Sequence, residues 1–133
     1  MTTRDRVAYL DSSALVKLAV REAESDILTQ HLRARPRRVS CMLACVEVVR
    51  AIRPHGAAAV RRAEALLAAV DLLALDASLL DLAARVEPMT VRSLDAIHLA
   101  AATQLGGSVE LITYDRHMQA AARAVGLPTS APA

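Results

Sequence analysis

Carboxylates are the side chains best placed to do chemistry in this sequence. Asp11 closes the apolar run Val7–Leu10, and Asp115 closes the run Glu110–Tyr114. Short apolar runs of this kind read as buried strands. Asp95 sits in the first turn of an apolar helical pattern from Leu94 to about Leu105. Glu47 lies inside another, flanked by Val46 and Val48. A carboxylate in such a setting is costly to bury without positive compensation. Arg50, one helical turn on, or a metal ion shared with the other acids would supply it. If the four acids converge, the resulting oxygen-rich site favours Mg²⁺ or Mn²⁺ over zinc. A divalent ion held there would activate water and offset charge building on a phosphate during in-line displacement.

Each acid also has a plainer reading. Asp11 and Asp115 suit the N-caps of the helices that follow, and Asp95 suits a helix dipole. Glu47 and Arg50 would make an ordinary surface pair. Asp76 ends a strand-like run, but capping is a sufficient role for it; Asp71 and Asp81 read as solvated. His98 falls in an apolar helix and reads as a satisfied core or groove histidine rather than a ligand. The chain has 14 acidic residues, so spacing alone does not single out these four. Lys17, Arg92 and Arg116 each lie close to an acid or a strand end, which makes them candidate phosphate contacts or simply solvated charges.

The elements that must position these acids alternate. Ser12-Ser13 offers capping hydroxyls to a helix over Ala14–Val20. A second helix begins among Glu22, Glu24 and Asp26, ends near Arg33 and Arg35, and is closed by Pro36. Val39 opens a brief strand. Ser40 is placed to cap a helix from Cys41 to Ile52, in which Leu43, Val46, Val49 and Ile52 share helical spacing. Pro54-His55-Gly56 breaks the chain before a helix over Ala57–Ala69. Val70–Leu75 reads as a strand, and Asp76 as the cap of a helix over Ala77–Val86 that Pro88 closes off. Ser93 would cap the helix bearing Asp95, which Gly106-Gly107 terminates. A last helix spans Arg116 to Val125, Gly126 stops it, and Leu127-Pro128 leads toward a weak edge strand.

This pattern predicts one α/β domain over residues 1–133, with a mostly parallel sheet of four to five strands and helices on both faces. In such sheets ligands bind beyond the carboxyl ends of the strands, where Asp11 and Asp115 are expected.

Composition narrows the partners. Net charge is +2, which permits a nucleic acid without demanding one. There is no Phe or Trp and there are two Tyr, which argues against a module that stacks bases on a ring platform; an RNA partner is expected to be held through its phosphates. Cys41 and Cys45 read as reduced, buried small hydrophobes, with no further Cys or His at zinc spacing. Asp71, Asp76 and Asp81 interrupt the apolar stretch Leu66–Leu82, so no membrane span is expected. The run Met1 to Arg6 lacks the form of a secretory signal, and a cytoplasmic location is expected. Two other classes stay open on the residues alone. An Asp11-nucleophile phosphatase or phosphotransferase would want a second acid two residues on, where Ser13 stands. A non-catalytic binding module would use the acids as caps and ion pairs.

Three segments bear a likeness to a known family. Tyr9-Leu10-Asp11-Ser12-Ser13-Ala14-Leu15-Val16-Lys17, Ser93-Leu94-Asp95-Ala96-Ile97-His98-Leu99-Ala100 and Leu111-Ile112-Thr113-Tyr114-Asp115-Arg116 resemble the motifs of PIN-domain ribonucleases, in particular VapC-type toxins of toxin–antitoxin pairs. The stretch from Ser40 through Glu47 to Ile52 resembles the helix with the second acid. The likeness covers nearly the whole chain from Tyr9 onward. It implies a Mg²⁺- or Mn²⁺-dependent endoribonuclease with Asp11, Glu47, Asp95 and Asp115 as catalytic metal-binding acids. Ser12 and Thr113 match polar positions near the metal. It also implies an RNA substrate, a homodimer and a small antitoxin partner over the active-site groove.

Overall fold

The computed structural model describes residues 6–133; the residues Met1 to Asp5, where no secretory signal was read, lie outside that span. Five strands, β1 (Val7–Leu10), β2 (Arg37–Cys41), β3 (Asp71–Leu73), β4 (Val109–Ile112) and β5 (Thr129–Ser130), form one sheet in the order β3-β2-β1-β4-β5. Every pairing is parallel. Seven helices connect them: α1 (Ser12–Ala19), α2 (Ser25–Leu32), α3 (Ala44–Ile52), α4 (Ala57–Ala68), α5 (Ala77–Ala84), α6 (Ser93–Thr103) and α7 (Arg116–Ala124).

The strands alternate between two apolar layers, as a period of two requires. Ala8, Leu10 and Ile112 face α1 to α4, packing with Leu15, Leu28, Val48, Ile52 and Ala63. Tyr9, Val39, Cys41 and Leu111 face α5 to α7, packing with Leu79, Leu99, Ala101 and Met118. The chain steps outward from β1 to β3 over the first face. It then crosses to β4 and β5 over the second. That reversal puts a topological switch point between β1 and β4, and in open parallel sheets ligands bind beyond the carboxyl ends at such a point. Leu111 is fully buried in the strand beside β1. Leu111→Ala is therefore expected to cost about 2–5 kcal/mol of stability, read as a lower urea midpoint.

Several expected boundaries move. Ser40 does not cap a helix: it lies in β2, paired with Leu72 of β3, and Cys41 pairs with Leu73. Pairing with the neighbouring strand outweighs the capping propensity of Ser40, and α3 starts only at Ala44. Cys41 is buried and Cys45 only partly so; both are free thiols. The strand over Val70–Leu75 contracts to three residues on the sheet edge. Ser93 is the first residue of α6 rather than its cap, a position taken by Arg92. β4 ends at Ile112, so Thr113 and Tyr114 form a short loop before Asp115. Asp76 caps α5 as expected, its side chain accepting from the Leu79 amide at 2.9 Å. Helix α1 is capped by Asp11 itself, not by Ser12 or Ser13. Among the described residues no helix is long and apolar enough to cross a membrane.

Candidate active site

Asp11 stands at the carboxyl end of β1 and is buried. Its Oδ1 accepts from the Ala14 amide at 3.1 Å and from the Ser13 hydroxyl at 2.6 Å. Its Oδ2 accepts a short hydrogen bond from the Thr113 hydroxyl. Burial pushes its carboxyl above the ordinary range, against the pull of the Ser13 and Thr113 hydroxyls. Ser13 also accepts from the Tyr114 amide at 2.9 Å. The start of α1 is thereby stitched to the loop after β4 across the switch point. Thr113 in turn accepts from the Asp115 amide at 3.1 Å.

Asp115 caps α7, accepting from the amides of His117 at 2.8 Å and Met118 at 3.2 Å through Oδ1. Its other oxygen stays available in an exposed carboxylate. Asp95, in the first turn of α6, is half-buried. Burial raises its carboxyl above the ordinary range, and the charges of Asp115, Asp11 and Glu47 push it further the same way. Four acids from four separate segments thus share one electrostatic neighbourhood.

Glu47 is held differently from the sequence expectation. Its partner is not Arg50, which is exposed. His98 Nε2 approaches Glu47 Oε1 at 2.7 Å, and the Ser12 hydroxyl donates to the same oxygen at 2.6 Å. Burial works against the Glu47 charge, but these two bonds outweigh it and hold the carboxyl below its ordinary range. His98 is itself buried, with Nδ1 at 2.7 Å from the Tyr9 hydroxyl. Burial opposes an imidazolium there; hydrogen bonds to Cys41 and Glu47, and the charge of Asp11, reverse that and raise its pKa. Protonated, the ring donates on one side to Glu47 and on the other to the Tyr9 oxygen. His98 is a satisfied groove histidine, as its setting in an apolar helix suggests. Its service as the clasp of Glu47, and the supporting roles of Tyr9 and Ser13, went unseen in the sequence. The signals available were slight: Ser13 two residues past Asp11, and Tyr9 two before it.

The basic candidates divide. Lys17 is spent on Glu24 at 2.9 Å and Glu22 at 3.4 Å, with its ammonium 4.7 Å above the Tyr114 ring. Arg92 and Arg116 are exposed, at the starts of the helices carrying Asp95 and following Asp115.

A family model for the PIN domain matches residues 8–124. The chain belongs to the PIN-domain family. Among curated relatives, Ribonuclease VapC46 of Mycobacterium tuberculosis is 50% identical over 125 residues, spanning 93% of this chain and 96% of that protein. Ribonuclease VapC35 of the same species is 44% identical over 133 residues, with the same two shares. Among solved structures, Mycobacterium tuberculosis VapC20, a sarcin-ricin loop cleaving toxin, superposes with a TM-score of 0.73. It is 19% identical and the match covers 94% of this chain and 99% of that one. A Pyrobaculum aerophilum structure superposes with a TM-score of 0.68 at 25% identity, covering 94% of this chain and 84% of that one. The PIN fold is therefore shared at identities too low to carry chemistry, while the VapC relatives share much of the sequence as well.

The donor set of this PIN domain fits a hard divalent cation. The acids supply oxygens, His98 Nε2 is committed to Glu47, and Cys41 lies behind the imidazole, its sulfur 3.8 Å from Nδ1. Among the described residues no three Asp, Glu, His or Cys side chains are drawn together closely enough to hold a metal ion in a site built by the protein alone. Mg²⁺ does not require one: it keeps several waters and binds through one or two carboxylates.

Proposed function

We propose that this PIN domain is an endoribonuclease, the toxin of a toxin–antitoxin pair, that hydrolyses RNA phosphodiester bonds with Mg²⁺ or Mn²⁺. One observation carries the reading. Asp95 feels the like charges of Asp115, Asp11 and Glu47, each from a different segment, and with burial they keep its carboxyl raised. His98 offsets only part of that repulsion; a divalent cation would offset the rest, and the kinship with VapC ribonucleases gives the cation its substrate.

Asp11, Asp95 and Asp115 hold the cation, directly or through water. Bound there, the cation supplies Lewis acidity, lowering the pKa of water and offsetting charge on the phosphate. Thr113, Ser13 and the Ala14 amide fix the Asp11 carboxylate in one orientation. Glu47, gripped through Oε1 by His98 and Ser12, presents Oε2 to orient the attacking water. Arg92 and Arg116 flank the acids and steer the RNA backbone. A homodimer, a small antitoxin over the groove and a cytoplasmic site of action belong to the same proposal, supported by the kinship alone.

The test is cleavage of total RNA and tRNA by the wild type with Mg²⁺, Mn²⁺ or EDTA. Discrete products that vanish with EDTA are expected. Products that persist in EDTA would remove the metal from the mechanism; none under any condition would leave a non-catalytic module. His98→Leu is expected to slow cleavage about 10–100-fold, the usual cost of losing a group that orients a metal-site carboxylate. His98→Gln should recover part of that loss, since an amide can still donate to Glu47 Oε1.

A further inference from the structure

Beside Asp95 the loop at residues 88–92 and one side of α7 enclose a cleft of about 400 Å³. We propose that this cleft is a nucleobase subsite, which takes one unpaired base of the RNA next to the phosphate on which the acids act. The inference rests on the reading of the acid cluster as a ribonuclease site and assigns that site a base-recognition element.

Three features point to a base. The volume lies near the low end of ligand pockets, roughly 300–1,000 Å³, which suits one nucleotide. Its lining includes small apolar side chains, Ala120 and Ala124, on the exposed side of α7, which leave room against an apolar surface. The wall carries an exposed imidazole, His117, together with the Arg92 guanidinium and the Thr90 hydroxyl.

The imidazole matters because rings are scarce. Tyr9 and His98 are buried, the Tyr114 hydroxyl is tied to the Pro132 carbonyl at 2.7 Å, His31 is tied to Glu110 at 2.7 Å, and the exposed His55 lies in the Arg53–His55 turn, outside the cleft. His117 is the ring the chain places in a cleft next to its acids. A base stacks on such a ring without regard to sequence, whereas Arg92 and Thr90 can read a base edge through hydrogen bonds. Asp95 lines the same cleft. A base seated there therefore has its own phosphate within reach of the acid cluster. The cleft fixes which nucleotide is presented for cleavage, and the acids do the cleaving.

The test titrates the four nucleoside 5′-monophosphates and ribose 5-phosphate, in EDTA, into the full chain, following the His117 ring by NMR. At least one nucleotide is expected to bind about tenfold tighter than ribose 5-phosphate and to move the His117 signals. Ala124→Leu, which fills the cleft from an exposed position, should weaken that binding about tenfold. His117→Ala provides the same reading should the leucine variant not fold. On RNA, the cleavage sites of the wild type should share a base at one fixed position, and Ala124→Leu should lose that preference. Equal binding of nucleotides and ribose 5-phosphate would overturn the subsite and leave an anion contact at Arg92. Unchanged binding in both cleft variants would overturn it as well. Binding in EDTA does not depend on catalysis, so a failure of RNA cleavage would sink the nuclease reading and not be mistaken for a failure of the subsite.

Discussion

Asp95→Asn is expected to lower RNA cleavage by at least about 10²-fold, because a metal ion contributes several kcal/mol at the transition state and each 1.36 kcal/mol is tenfold in rate. The same change should leave the metal-free protein as stable as the wild type or more so at neutral pH. Burial and the charges of Asp115, Asp11 and Glu47 raise the Asp95 carboxyl in the folded state. A carboxyl that holds its proton more tightly when folded stabilises the fold below its ordinary pKa, and that contribution is lost as pH rises through the raised value. At pH 7 the ionised Asp95 is then a burden on the metal-free fold, and a neutral amide of the same shape removes it. Melting temperatures in EDTA should therefore separate wild type and variant at pH 7 and bring them together near pH 4. Activity within twofold of the wild type would take Asp95 out of the mechanism. A large fall in melting temperature at pH 7 would mean that its carboxylate is a structural partner instead.

The positions of Asp11 and Asp115 were legible because each follows an apolar run that a parallel sheet buries, and a strand end is a local property. The α/β class was legible for the same reason: strand and helix runs alternate along the whole chain. What the sequence concealed was long-range. Glu47 looks three residues away to Arg50 for its cation, yet its partner is His98, 51 positions distant, delivered by α6 packing against β2. No local periodicity encodes that meeting. The β2–α3 boundary was hidden by a different conflict. Ser40 is a good helix cap, and Leu43, Val46 and Val49 keep helical spacing, so local pattern alone starts the helix at Cys41. Backbone pairing of Ser40 and Cys41 with Leu72 and Leu73 outweighs that local preference. Propensity is a weak prior against a filled hydrogen-bond ladder. Ser13 escaped notice because serine near a helix start has a sufficient local role; its bond to the Tyr114 amide, across the switch point, exists only once β4 lies beside β1.

Millimolar Mn²⁺ or Mg²⁺ is expected to raise the melting temperature of the wild type, and the size of the rise should depend on pH. A ligand that binds only the folded state stabilises it by about 2.7 kcal/mol at 100 times its Kd, which amounts to several degrees for a domain of this size. The cation must displace the protons that burial and repulsion favour on Asp11 and Asp95. Metal affinity should therefore fall as the medium is acidified, and binding should release protons to it. The rise should be large at pH 7.5, smaller at pH 5, and much reduced in Asp95→Asn at both. Glu47 should not contribute to this pH dependence, because His98 and Ser12 hold its carboxyl below the ordinary range and keep it ionised throughout. Glu47→Gln would then lose cleavage while retaining most of the pH-dependent metal shift, which would separate a residue that orients water from those that hold the ion. An equal loss of metal binding in Glu47→Gln and Asp95→Asn would instead place Glu47 among the residues that hold the ion. No rise with either metal at any pH would remove the divalent-ion site and leave His98 as the cation that offsets the crowded acids.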